Sequence, residues 1–326
     1  PLPGNVFNIM NSEEYMNLIN YGQPGNDLFR SGMPDYLFVS PSASGPAFEG
    51  DPLIDPSNYF IENPNKGKNY LIQKVNKHGT DWFHEAFKKA FFYEHNVSVI
   101  GGSENAKYYF SGGYLDQQGT LTKTYHKRYS IRVNTEYKIN DWLKVGENLN
   151  FYYRKHLPFK TGQSYGGITA LYKLPPIIPV RDIMGNWGGT AIGTTLGSEQ
   201  NPVAVLTRNA DKSGAESYNT LGNLFGEIQF MKGLVFRSSF GFNTWHNRTD
   251  EFIDAQAENA ETNTQPNQFT ITADDGVTLT YTNTLNYSTK FGKHSIDALL
   301  GTETIQSKTR MLRGGAKDFD YSEDYL

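Results

Sequence analysis

Between residues 125 and 139 the odd positions are apolar or neutral: Tyr125, Tyr129, Ile131, Val133, Thr135, Tyr137 and Ile139, with Lys127 as the exception. The even positions are all polar: His126, Arg128, Ser130, Arg132, Asn134, Glu136 and Lys138. A period of two describes a β-strand with one apolar and one wet face. At about fifteen residues it exceeds the usual five or six of a soluble sheet strand, and a tilted strand crosses a bilayer with about nine to eleven. The pattern returns where Val277, Leu279, Tyr281, Leu285, Tyr287 and Phe291 oppose Thr278, Thr280, Thr282, Thr284, Asn286, Ser288 and Lys290. It returns again where Leu234, Phe236, Phe240 and Phe242 oppose Arg237, Ser239 and Asn243.

These runs predict an all-β antiparallel meander of eight strands, near 94–102, 106–115, 124–139, 142–154, 216–231, 234–246, 277–291 and 294–306. Short turns fall at Ser103-Glu104-Asn105, Asn140-Asp141, Lys232-Gly233 and Gly292-Lys293. The opposite ends are joined by about eight residues around Gly119, about sixty from Lys155 to Ala215, and about twenty or more after His246, an alternation that belongs to outer-membrane barrels. Aromatic residues crowd both strand ends, with Tyr137, Trp142, Phe230 and Phe291 near short turns and Phe151, Tyr153, Phe242 and Trp245 near long loops. Two such bands are what interfacial girdles require. A soluble sheet with one buried face gives the same alternation, but has no reason to gather its short turns at one end.

Residues 1–93 read as a loop-rich segment with two short helices, and residues 94–326 as a partial transmembrane barrel. Asn11 or Ser12 caps a helix over Glu13 to Asn20, and Thr80 caps a turn from Asp81 to about Lys89. The strand from Glu94 descends into a short, periplasmic turn, so the preceding segment is expected on the extracellular rim.

Composition fits a membrane wall. Only 37% of the 326 residues are hydrophobic, and mean hydropathy is -0.57, because half of each strand faces water and dilutes the signal. No run approaches the apolar length of a transmembrane helix. Tyr (21), Phe (21) and Gly (32) are abundant, as strand walls demand. A net charge of -4 supplies no field for nucleic acid, and the absence of cysteine removes disulfides and thiolate chemistry. The opening Pro-Leu-Pro-Gly reads as an interior or processed start.

No enzyme constellation is visible. His84-Glu85 lacks the second histidine of a zinc-protease helix because Lys88 stands there; Ser238 and Ser239 sit in no nucleophile elbow, and Gly314-Gly315 opens no phosphate loop. No cofactor or metal is expected. Asp318, Asp320, Glu323 and Asp324 offer oxygen ligands without the spacing of a calcium loop, and read as a solvated loop. Arg128, Arg132, Glu136 and Lys138 line the wet side, where they meet an acidic substrate or a plug inside the barrel, or simply wet the wall and tie to that plug. For ligand recognition the candidates are in the sixty-residue loop: Tyr165, Tyr172, Arg181, Asp182, Asn186 and Trp187. Aromatic faces stack on sugars while neighbouring polar groups fix hydroxyls or amides; the same aromatics also serve simply to pack the loop.

Several segments are familiar as a set: Thr80-Asp81-Trp82 with Phe83-His84-Glu85-Ala86-Phe87, Asn96-Val97-Ser98-Val99-Ile100-Gly101-Gly102-Ser103-Glu104, and Tyr108-Tyr109-Phe110-Ser111-Gly112-Gly113-Tyr114-Leu115-Asp116-Gln117-Gln118-Gly119. With them go Lys127-Arg128-Tyr129-Ser130-Ile131-Arg132-Val133-Asn134, Trp142-Leu143-Lys144-Val145-Gly146, Pro175-Pro176 to Pro179-Val180, Gly185-Asn186 and Asn201-Pro202. Together they resemble the SusC/RagA family of TonB-linked outer-membrane transporters of Bacteroidetes, through most of the chain and weakest before Asn11 and from about Asp250 to Asp275. The resemblance implies about eight strands of a twenty-two-stranded barrel. It also implies a plug domain, a SusD-like surface lipoprotein as lid, and uptake of oligosaccharides or peptides driven by TonB through a region absent here. Two other readings stay open: a complete eight-stranded outer-membrane barrel with a structural or adhesive role, and a soluble glycan-binding β-sandwich.

Overall fold

A computed structural model describes residues 9–61, 68–157, 167–192, 194–208 and 210–319. First come helix α1 (Ser12–Gly22), strands β1 (Tyr36–Val39), β2 (Ser44–Ala47) and β3 (Leu71–Lys74), and the short helix α2 (Trp82–Ala86). The meander begins with β4 (Phe92–Gly102), β5 (Ala106–Gln118), β6 (Tyr125–Asn140) and β7 (Leu143–His156). After α3 (Ala170–Lys173) and α4 (Pro202–Arg208) it resumes with β8 (Gly214–Met231), β9 (Leu234–Ile253), β10 (Gln268–Phe291) and β11 (His294–Lys317). All eight expected strands form one antiparallel sheet in sequence order, from β4 at one edge to β11 at the other.

The strands run further toward the long loops than the alternation foretold. β9 continues to Ile253 and β10 starts at Gln268, so the connection expected to exceed twenty residues spans only 254–267. Polar groups occupy both faces of this extension, among them Arg248 bonded to Asp250 at 2.9 Å and Asn247 bonded to Asp274 at 2.8 Å. Where both faces are polar the period of two fades, while the backbone ladder carries on.

Cross-strand register shows what each face is. Val133, Leu149, Gly222, Phe242 and Leu279 lie in one row of apolar or small residues. Ile131 and Tyr281 stay 57% and 50% exposed, and neither hydrophobic core cluster contains a side chain from β4–β11. This oily face packs against nothing among the described residues, which a sandwich would not allow. Glu147 is the odd group on it, and it accepts a hydrogen bond from the Thr135 hydroxyl across the strand pair.

The upper margin of the oily band is a row of neighbouring rings, stacked or tilted. Tyr114, Tyr129, Tyr153, Tyr218 and His246 follow one another across β5–β9, with centroids 4.9, 6.1, 4.7 and 6.4 Å apart. Immediately above stand ion pairs, Lys127–Asp116 at 3.0 Å and Lys155–Glu216 at 3.1 Å. Lys127, the exception to the alternation, thus sits beyond the ring row among charges. Tyr137, Ile139, Trp142, Phe230 and Phe291 mark the lower margin near the short turns, all exposed. From Tyr129 to Ile139 is about 33 Å of strand, or about 25 Å of height at a tilt near 40°, the apolar thickness of an outer-membrane barrel. Trp245 departs from the expected girdle. It pairs with Asn219 and Gly276 on the wet face, and its indole lies where a Cβ on Gly276 would have to be.

Turn chemistry explains the tight ends. Asn140 Oδ1 accepts from the backbone N–H of Trp142 and Leu143, and Gly233 adopts φ 87°, a conformation that favours glycine. The first helix is capped as expected by Asn11, in a reciprocal box with Glu14. The second differs. Asp81, not Thr80, caps it, and it stops at Ala86 rather than near Lys89. The Thr80 hydroxyl is engaged elsewhere, donating to the Ile178 carbonyl at 2.6 Å. The chain beyond Ala86 is drawn into an extended bridge, Phe87 with Leu121, and Lys88 N–H bonds to Thr120.

The early segment also holds a three-stranded sheet, β2-β1-β3, that the sequence did not announce, because four-residue strands are too short to show a period. It does not stand alone. Trp82 and Phe83 of α2 pack with Leu171, Leu174, Ile177 and Ile178 of the long loop, with Val203 and Leu206 of α4, and with Leu121 between β5 and β6. The Trp82 indole N–H also donates to the Pro175 carbonyl at 3.4 Å. Every contributor enters or leaves the sheet at its long-loop end, so the early segment and the loops make one cap there.

The two faces give opposite responses to charge. Leu279→Arg should lower folding stability in lipid by about 2–4 kcal/mol, while Thr278→Arg on the wet face should change it by well under half of that. Urea unfolding from vesicles measures both, and equal effects would contradict the assignment of faces.

Candidate functional site

Four of the six candidate loop residues meet in one tight turn. Arg181 bridges Trp187 in antiparallel fashion, and Gly185 between them takes φ 83°. The Arg181 guanidinium lies over the Trp187 ring, 3.3 Å from its centroid, and donates to the Gly185 carbonyl at 3.0 Å. Asp182 accepts from the backbone N–H groups of Met184 and Asn186 at 2.9 and 2.8 Å, and from the Tyr59 hydroxyl at 2.6 Å. Asn186 closes the set by donating to the same hydroxyl at 2.7 Å. Burial first, and Asp182 second, push the Tyr59 pKa well above its ordinary value. The carboxylate and carboxamide therefore already brace the turn against the early segment. What the turn presents to solvent is the Arg181 side chain, Met184 and Asn186, all exposed. Tyr172 is on α3, 38% exposed, with its ring centroid 6.4 Å from that of Phe83 rather than beside the turn. Tyr165 lies outside the described residues.

Beneath the turn is a polar clasp that the sequence did not single out. Arg208 of α4 bonds Glu258 at 2.9 Å and approaches Asp254 at 3.7 Å. Burial raises the Glu258 pKa above its ordinary value despite Arg208. Asn259 donates to the carbonyls of Ser198 and Glu199, and accepts from the N–H groups of Glu261 and Thr262. Asn201 caps α4 through the N–H groups of Val203 and Ala204, and donates to the Val180 and Gly188 carbonyls. These groups tie the 254–267 loop to the long loop. Their signal in the sequence is only isolated polar residues, whose long-range partners lie 13 to 61 residues away.

The other concavity is on the wet face of the sheet. A groove of about 430 Å³ is lined by Arg132, Asn134, Asn148, Asn150, Asn223, Asn243, Thr278 and Thr280 among others. Asn219 and Asn243 bond each other at 3.1 Å. Register makes this a bank of amides and hydroxyls without a carboxylate, suited to hydrogen-bonding ligands. The alternation placed each residue on the wet face, but only strand pairing makes them neighbours. Arg128, Arg132 and Glu136 share that face as expected, and Glu136 lies 4.0 Å from Lys107 and 3.8 Å from Lys144. Of the acidic run, Asp320, Glu323 and Asp324 lie outside the described residues; Asp318 is held by a backbone bond to Asn267.

An open, strongly registered sheet with an oily outside, two aromatic margins and a wet groove is a section of a transmembrane β-barrel wall. No family model matches the chain. It is similar to TonB-dependent receptor P3 of Formosa agariphila, 27% identical over 290 residues that cover 83% of this chain and 27% of that protein. It is also similar to TonB-dependent receptor SusC of Bacteroides thetaiotaomicron, 28% identical over 178 residues, 50% of this chain and 18% of that one. A solved structure of the RagAB peptide importer in its closed-closed state superposes with a TM-score of 0.73 at 25% identity, covering 100% of this chain and 35% of the other. The chain thus spans about a quarter or less of the length of these curated relatives. Sequence and fold agree: over most of its length the chain is similar to a stretch of the barrel of TonB-dependent receptors of the SusC/RagA kind.

The raised pKa of Glu258 gives the cap a pH dependence. A carboxyl whose folded value lies above its unfolded one contributes stability fully present below the ordinary value of 4.5 and lost as pH rises through the folded value. Glu258→Gln should flatten this fall. Proteolysis rates of the 254–267 loop, followed upward from that pH in wild type and variant, measure it, and parallel curves would contradict the assignment.

Proposed function

We propose that this protein forms barrel wall in a TonB-dependent importer of the bacterial outer membrane, without catalysis, taking up oligosaccharides or peptides under a SusD-like lipoprotein lid. The observation that carries the reading is the oily band about 25 Å tall between two aromatic margins, on a sheet superposing on the RagAB importer over its whole length. Strands β4 and β11 do not pair with each other. Open strand edges are not tolerated in hydrocarbon, so they join further strands of a larger barrel, which disfavours a closed eight-stranded one. The cap built from the early segment and the loops then faces the cell exterior, where Arg181, Asn186 and Tyr172 are available to cargo and lid. Energy arrives from TonB through another part of the receptor.

Orientation is open to direct measurement because this chain has no cysteine. Arg30→Cys should react with a membrane-impermeant maleimide on intact cells, and Glu104→Cys only after the outer membrane is broken. The reverse order would overturn the orientation. Import itself is tested in cells with the full-length receptor, fed labelled oligosaccharides and oligopeptides. Uptake should cease without TonB and fall steeply without the neighbouring lipoprotein; uptake indifferent to TonB would end the reading.

A further inference from the structure

The wet face of the sheet is layered by charge. Nearest the short turns, Lys107, Lys144 and Arg237 meet Glu136 and Glu227: Lys144–Glu227 at 3.1 Å, Arg237–Glu227 at 3.2 Å, Lys144–Glu136 at 3.8 Å and Lys107–Glu136 at 4.0 Å. This layer largely neutralises itself. The amide groove comes next and carries no carboxylate. Nearest the long loops, Arg128 and Arg154 stand directly opposite each other on β6 and β7, with His126 opposite His156 in the next row. The two imidazole rings are 6.0 Å apart.

The arginine pair faces no carboxylate directly, its cross-strand neighbours being Leu115 and Ser217. Arg128 has one loose contact, Glu94 at 3.9 Å. Arg154 Nε and His156 Nδ1 are buried without a hydrogen-bond partner. Arg132 and Arg154 form no ion pair among the described residues. Like charges placed directly across a strand pair weaken a sheet, and a buried donor left unpaired costs more. An anion between Arg128 and Arg154 relieves both. Guanidinium forks match carboxylate and sulfate oxygens two at a time. Arg132 is four residues further down β6, about 13 Å along the strand, too far for one small anion to bridge.

We propose that Arg128, Arg154 and Arg132 form an anion-recognition track on the inner wall, taking an oligomer that bears repeated carboxylate or sulfate groups, with its uncharged backbone along the amide groove. The proposal rests on the importer reading and names the charge class of its cargo. The lower layer differs in kind, since its cations already have partners and ask for none.

The test is equilibrium binding to the purified full-length receptor with its lipoprotein. Probes are oligogalacturonate, a sulfated galactan oligomer and a neutral malto-oligosaccharide of equal length, with hexaglutamate and hexaglutamine as peptide arms. Acidic probes should bind more tightly than neutral ones and weaken as salt rises. Arg128→Gln with Arg154→Gln should cost acidic probes about tenfold or more and leave neutral ones unchanged, with the Lys pair intermediate. Comparing carboxylated with sulfated probes shows which anion the forks prefer. Equal affinity for acidic and neutral probes would overturn this inference alone. So would a Gln pair that lowers the melting temperature of the ligand-free receptor while acidic affinity holds, because the arginines would then be holding an acidic segment of the receptor itself. If no oligomer of any charge binds or enters cells, the importer reading falls and takes this inference with it.

Discussion

In hydrocarbon no water is available to a backbone N–H or C=O, so each must find a partner in the protein. The sheet meets that demand strand by strand. β4 to β11 pair with continuous register through seven antiparallel ladders, with small irregularities only beside two short turns, at Lys138/Asn140 and Gln229/Met231. Once pairing is obligatory and the pleat has a period of two, the side chains have no freedom over which face they occupy. Ile131 and Val133 must share a side with Phe151 and Leu149, and Arg132 must share one with Asn150. The oily band, its ring margins and the wet groove all follow from that single constraint.

The cap obeys different physics. Its backbone is in water, so it needs a hydrophobic core of its own, and it assembles one from segments far apart in sequence. Trp82, Leu171, Ile177, Ile178 and Leu196 are essentially buried there. Loops this long carry many backbone groups that regular structure does not pair, and short polar side chains take them up. Asn201 and Asn259 each satisfy several, and Gln73 exchanges two bonds of 2.9 Å with Gly189. The result is a hydrogen-bonded cap at the long-loop end of the sheet. The Arg181–Trp187 turn is a product of it, positioned by Tyr59 from the early segment.

Candidate site residues were legible in uneven degree. Arg181, Asp182, Asn186 and Trp187 stood out as polar and aromatic groups in a long loop, and they do converge, because seven residues closed by a glycine turn are a local matter. That Asp182 and Asn186 both bind Tyr59 was not legible, since that partner is over a hundred positions away. Trp245 looked like a girdle residue from its place near a strand end. Its parity, shared with Arg237, Ser239 and Asn243, already assigned it to the wet side, and the space above Gly276 gave its ring a seat there.

By itself the sequence determined the strands, their order, the sidedness of the residues in their alternating stretches and the ends that carry short turns, because alternation and turn chemistry act over a few neighbouring residues. It also carried enough matched segments to show a resemblance to SusC/RagA receptors. Only the tertiary structure decided how far β8–β11 continue past the oily band, that three four-residue strands form in the early segment, and which loops share a core. It alone also placed Arg154 opposite Arg128, with no carboxylate between them. These depend on contacts between residues tens to hundreds of positions apart, and in such contacts the energy belongs to the pair, so neither member announces it.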